Sequence, residues 1–124
     1  MHPFIAEKPD RLETARLVMR PIRLQDSPAF FDIFSDEETL RFWSGETLRD
    51  LEQARTLVCR ELELSASDNC INWGIALPGP DRLIGKFTLF QFHAQNRRAE
   101  VGYILDRRFW GKGYMTEAMG EILA

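Results

Sequence analysis

The run Arg108-Phe109-Trp110-Gly111-Lys112-Gly113-Tyr114-Met115-Thr116-Glu117-Ala118 constrains this chain more than any other stretch. An apolar, β-prone segment from Ala99 to Leu105 leads into it, and a helical pattern starting at about Tyr114 leads out. A helix start leaves four backbone N–H groups unpaired and carries about half a positive charge. Glycine just before such a start lets an anion approach the backbone with no side chain in the way. Arg107, Arg108 and Lys112 add positive charge at the same place. The spacing is not the G-x-G-x-x-G dinucleotide fingerprint, because position 116 is Thr, and it is not a P-loop. On spacing alone, a phosphate cradle and a plain tight turn both stay open.

The rest of the chain supplies elements around this turn. Residues 1–13 read as a loose lead-in, and Arg16 to Arg20 as a short strand stopped by Pro21. Ser27 followed by Pro28 predicts a helix start with Ser27 as N-cap, continued by Phe30, Phe31, Ile33 and Phe34. Ser35 with Glu38 resembles a capping box and predicts one more helical turn toward Phe42 and Trp43, broken at Ser44-Gly45. Leu48, Leu51, Ala54, Val58 and Leu62 recur at helical spacing, which predicts a helix from Thr47 to about Ser65. Asn72–Leu77 and Leu83–Phe90, separated by Pro78-Gly79-Pro80-Asp81, read as an antiparallel hairpin. Residues 91–97, with His93, read as a polar loop before the strand Ala99–Leu105. Strands clustered after helices predict an α+β or mixed α/β layer with a largely antiparallel sheet.

Bulk properties bound the function. With 124 residues and 44% hydrophobic content, one compact domain is expected. Sixteen basic against 19 acidic residues give a net charge of −3, a poor match to nucleic acid or to an acidic membrane surface. No apolar run approaches the roughly 20 residues that span a bilayer, and the start MHPFIAEKPD lacks a signal-peptide pattern. Cys59 and Cys70, with His2 and His93, show no metal-ligand spacing, so no metal is expected. Two free thiols fit a reducing cytoplasm, the expected location.

These motifs resemble a known family. Arg108-x-x-Gly111-x-Gly113 matches the Q/R-x-x-G-x-G/A signature of the GNAT superfamily of N-acetyltransferases. Ala99-Glu100-Val101-Gly102-Tyr103, the run Trp110–Ala118 and the early Thr14-Ala15-Arg16-Leu17-Val18-Met19-Arg20 are similar to the corresponding segments of its RimJ/RimL-like branch. The resemblance implies a GNAT fold over residues 14–124 and transfer of an acetyl group from acetyl-CoA to a primary amine by direct attack. It implies that backbone amides around Arg108, Trp110, Gly111, Lys112, Gly113 and Tyr114 cradle the pyrophosphate. It implies that Tyr103-Ile104-Leu105 pairs with the pantetheine arm. It further implies that residues 14–124 form the N-terminal portion of such a domain, lacking its C-terminal strands and helix, with completion by a second copy as one outcome.

Single residues keep two readings each. Glu100 is the general-base candidate, acting directly or through water, or else a strand residue paired with Arg97 or Arg98. Phe42, Trp43 and Ser44 are similar to the family's acceptor-side loop, or pack the core. Thr116 offers its hydroxyl to phosphate or caps its own helix. An alternative function is a non-catalytic fragment that binds CoA or associates with itself.

Overall fold

A computed structural model describes residues 11–41, 46–65, 70–93 and 98–122. Its sheet has five strands in the order β1 (Leu12–Glu13), β2 (Val18–Arg20), β3 (Cys70–Leu77), β4 (Arg82–His93) and β5 (Arg98–Leu105). Every neighbouring pair is antiparallel. Helices α1 (Ser27–Phe34), α2 (Leu51–Ser65) and α3 (Tyr114–Ile122) complete the order. The α+β expectation holds.

β3 is covered on both faces, which explains why its sequence is nearly continuous in apolar residues instead of alternating. Two cores result. On one face Ile22, Ala76, Leu83 and Ile104 meet Phe30, Ile33 and Phe34 of α1 and Ala54 and Val58 of α2. On the other face Leu17, Met19, Trp73, Ile75, Phe87, Leu89 and Leu105 meet Ala118 and Ile122 of α3. Beneath α2 a buried polar network interrupts the apolar packing. Glu61 accepts from Lys86 Nζ at 2.5 Å and from Asn72 Nδ2 at 2.5 Å, and Thr88 donates to Asn72.

Local starts and stops differ from the sequence expectations in instructive ways. The lead-in ends early, because Leu12 and Glu13 pair with Met19 and Val18. Ser27 is the first residue of α1, not its N-cap. Asp26 holds the cap position, and its carboxylate is occupied by the Arg23 N–H at 2.7 Å and by the buried Arg20 guanidinium at 2.8 and 2.9 Å. The helical turn expected after Ser35 is a set of turns over residues 37–41. Asp36, not Ser35, organises it, accepting from the Glu38 N–H and the Thr39 hydroxyl. α2 starts at Leu51, not Thr47, because Asp50 accepts from the Gln53 N–H at 2.8 Å while Gln53 accepts from the Arg49 N–H at 2.6 Å. His93 lies at the end of β4, opposite Arg98, not in a loop.

Candidate active site

β5 forms one edge of the sheet, and its ladder with β4 decides which backbone groups face outward. The Asp106 N–H donates to the Ile84 carbonyl at 2.7 Å, one rung beyond the pair Lys86–Ile104. Hydrogen-bonded rungs alternate in an antiparallel pair, so Ile104 and Gly102 turn their backbone groups to β4. Tyr103 and Leu105 therefore turn theirs away from the sheet. The Leu105 carbonyl is taken by the Trp110 indole N–H at 2.7 Å, which straps the glycine turn to the end of β5.

After Leu105 the buried Asp106 builds the next bend. Its carboxylate accepts from the Arg108 N–H at 3.0 Å and from the Arg108 side chain at 2.7 Å, capping a short 3₁₀ turn over Arg107–Phe109. The Trp110 N–H returns to the Arg107 carbonyl at 3.1 Å. The N–H groups of Arg108 and Trp110 are thus used inside the bend. Gly111 and Gly113 follow at φ +75° and +79°, the left-handed region that glycine reaches without strain. The first hydrogen bond of α3 runs from the Glu117 N–H to the Gly113 carbonyl at 3.0 Å. Among the described residues, nothing accepts from the N–H groups of Gly111, Lys112, Gly113, Tyr114, Met115 and Thr116. Of the expected backbone donors, Gly111, Lys112, Gly113 and Tyr114 stay free, Arg108 and Trp110 are spent within the bend, and Met115 and Thr116, not expected as backbone donors, extend the arc.

These pieces face one open cavity of about 590 Å³. It is lined by Tyr103, Ile104, Leu105, Trp110, Gly111, Gly113, Tyr114 and Thr116, all expected from sequence, and by Thr39, Phe109 and Met115, which were not. Tyr103 is half exposed and stacks on Phe87, with ring centroids 6.4 Å apart. Ile104 contributes a buried side chain, its backbone groups turned to Lys86 on β4. Thr39 arrives from the turns after α1, where its hydroxyl accepts from the Arg107 N–H at 3.1 Å. Phe109 packs against Tyr114, with ring centroids 6.1 Å apart. No local motif marks Thr39; only the chain's return brings it here.

Arg108 and Lys112 do not line the cavity. The expected cluster of three cations is partly neutralised: Arg108 pairs with Asp106 and Arg107 with Asp36. Burial works against ionisation of Asp36, but hydrogen bonds from Arg107 and Thr39 outweigh it and hold its carboxyl below the usual range. Lys112 has no carboxylate partner among the described residues; its ammonium lies 5.9 Å from the Phe109 ring centre. Glu100 sits on β5 opposite Phe90, and its side chain lies outside the described part. Phe42, Trp43 and Ser44 lie outside the described residues.

An arc of backbone donors with no side chain at its two glycines suits a phosphate-bearing ligand. A Cβ on Gly111 would meet nothing within 4 Å, so the space above that glycine is open to a ligand. The outward N–H and carbonyl of Tyr103 and the N–H of Leu105 suit an amide-bearing arm laid along the strand.

Known proteins share the sequence pattern and the fold of this chain. Residues 16–124 match the family model described as an acetyltransferase (GNAT) domain. The uncharacterized N-acetyltransferase YoaA of Bacillus subtilis is 32% identical over 113 residues, covering 91% of this chain and 64% of that protein. The chain thus spans just under two thirds of the length of this curated relative. Among solved structures, the microcin C7 self-immunity acetyltransferase MccE in complex with acetyl-CoA and AMP superposes with a TM-score of 0.75 at 14% identity, covering 96% of this chain and 67% of that one. A Salmonella typhimurium acetyl transferase that modifies the N-terminal serine of a 50S ribosomal subunit protein superposes with a TM-score of 0.66 at 19% identity, covering 87% of this chain and 62% of that one. At these identities the two structures attest the fold.

Proposed function

The chain belongs to the GNAT acetyltransferase family, and on that premise we propose that it carries the acetyl-CoA site of an enzyme that acetylates primary amines. The observation that carries this reading is the meeting of two donor sets at one cavity: the free N–H groups of Gly111–Thr116 and the outward edge of β5. When bound, acetyl-CoA supplies an activated acyl thioester. The Gly111–Thr116 arc holds its diphosphate, with the Thr116 hydroxyl at the helix start as a further donor. The outward N–H and carbonyl of Tyr103 and the outward N–H of Leu105 would pair with its amide-bearing arm. With acetyl-CoA bound, an outward N–H on that edge would stabilise negative charge on the acyl oxygen, a contribution worth about 3–4 kcal/mol for one well-placed donor.

The acceptor nitrogen must be neutral to attack. For a lysine-like amine with pKa near 10.4 that costs about 4.6 kcal/mol at pH 7, and for an α-amine with pKa near 8 only about 1 kcal/mol. We assign the proton to Glu100, directly or through a water, and the acceptor side to Phe42, Trp43 and Ser44. A protein N-terminal α-amine, the RimJ/RimL-like choice, asks least of such a base. The sequence similarity of residues 14–20 and 110–118 to that branch supports it, as does the fold shared with the serine-modifying Salmonella enzyme.

Calorimetric titration of acetyl-CoA tests the reading. One-to-one binding supports it and calls for a screen of amine acceptors. A folded sample that takes up no acetyl-CoA sinks the cofactor assignment. A second reading, self-association without catalysis, draws on the free edge of β5 with Val101, Tyr103 and Trp110 exposed beside it. Solution mass separates it: a monomer across the accessible concentration range removes it.

A further inference from the structure

Arg16 belongs to the run Thr14-Ala15-Arg16-Leu17, to which neither the cleft nor the proposed reaction gives a role. Its side chain nevertheless reaches the glycine turn. Nη1 donates to the Lys112 carbonyl at 2.9 Å, and Nε donates to Glu117 Oε1 at 2.8 Å. The Arg16 N–H donates to Glu117 Oε2 at 3.0 Å, and the Thr14 hydroxyl donates to the same oxygen. The guanidinium lies 4.4 Å from the centre of the Tyr114 ring. One side chain is thus fixed by a carboxylate, a ring and a backbone carbonyl.

The carbonyl contact has a geometric consequence. A trans peptide carries its C=O and N–H on opposite sides, and the chain holds no cis peptide among the described residues. Drawing the Lys112 carbonyl toward Arg16 therefore turns the Gly113 N–H the other way. This peptide has little else to orient it. Gly113 adopts φ of +79° but reverses φ at small cost, because it has no Cβ. Rotated, the same peptide puts a carbonyl oxygen where the N–H stood, and an anion meets repulsion in place of a hydrogen bond.

We propose that Arg16 is a positioning residue that locks the Lys112–Gly113 peptide, so that the glycine turn offers a donor and not an acceptor to a phosphate-bearing ligand. Glu117 and Thr14 hold Arg16 in place for that task. The inference rests on the cofactor reading above. It deepens that reading by assigning the selectivity of the turn for anions to a residue outside the cleft.

The test compares CoA with pantetheine, which lacks the diphosphate, on the unaltered chain and on Arg16→Ala, with ¹H–¹⁵N spectra following the Gly113 amide. Losing one aimed hydrogen bond to a charged group weakens CoA binding by about 10- to 100-fold. Pantetheine binding stays unchanged, and the Gly113 amide no longer responds to CoA. Arg16→Lys, which keeps a cation able to reach the carbonyl, recovers most of the affinity. Equal CoA affinity in the unaltered chain and Arg16→Ala overturns the inference and leaves the cofactor reading standing. An unaltered chain that binds no CoA overturns the cofactor reading, and the inference with it. If Arg16→Ala loses its folded spectrum, Arg16→Lys and Glu117→Gln decide: a parallel loss for CoA and pantetheine marks a general structural role and overturns the lock.

Discussion

Two glycines carry the cofactor assignment at the scale of single residues. A side chain at φ near +75° to +79° is strained whatever space surrounds it, by roughly 1–2 kcal/mol per residue. A Cβ at Gly111 meets nothing, and one at Gly113 only the Arg16 Nη2 at 3.5 Å. Gly111→Val and Gly113→Val should therefore each lower unfolding free energy by about that much while CoA affinity drops beyond detection; denaturant titration beside calorimetry reads both. CoA affinity retained in both variants would break the phosphate assignment. The two cysteines separate on the same scale. Burial pushes the Cys70 thiol up to about 11, with the nearby Glu61 charge adding to it, whereas Cys59 is exposed. The thiolate is the reactive form, so iodoacetamide at pH 8 should label Cys59 within minutes and leave Cys70 intact in the folded protein. Mass spectrometry of the digested adduct checks the site.

The contact of α2 with the sheet is the informative case among the elements. Leu51 and Leu62 stand out from its apolar stripe with more than a third of their surface exposed, so Ala54, Val58 and the buried Glu61 make the contact. Glu61 accepts from Lys86 on β4 and Asn72 on β3, tying the helix to two strands. Removing one partner leaves a charge buried without its mate, which typically costs about 3–5 kcal/mol. Lys86→Met and Glu61→Leu should each destabilise on that order, and the double variant should recover much of the loss. A double variant as unstable as the sum of the singles would mean that the network does more than neutralise its own charges. The periodicity of α2 was legible in sequence, but its start was not. Thr47 and Asp50 are both plausible caps, and the Arg49–Gln53 hydrogen bond settles the matter locally.

Asp36, Asp81 and Glu117 are among the acidic groups that clasp distant segments of the described chain. Asp36 joins the turns after α1 to Arg107, Asp81 joins the β3–β4 turn to Arg23 and Arg20, and Glu117 joins α3 to Thr14 and Arg16. Hydrogen bonds from Arg23 and Arg20 lower the Asp81 carboxyl, and those from Thr14 and Arg16 lower Glu117. A carboxyl lowered on folding contributes stability that is present above its unfolded value, about pH 4, and is lost as pH falls through its folded value. Denaturation midpoints should hold between pH 5 and 7 and decline below pH 4, with the glycine turn loosening in the same interval. A midpoint unchanged at pH 3 would deny these clasps a part in stability. The strand–turn–helix around Gly111 and Gly113, the β3–β4 hairpin and the apolar stripes were determined by sequence alone, because periodicity and turn chemistry act over a few residues. Tertiary structure alone decided that Thr39 joins the cavity from 68 residues away and that Arg16 meets Glu117 across 101. It also decided that Ile104 turns its backbone inward while Tyr103 and Leu105 face out, because ladder phase and long-range contacts follow from how the whole sheet and its helices close, and no local pattern encodes that.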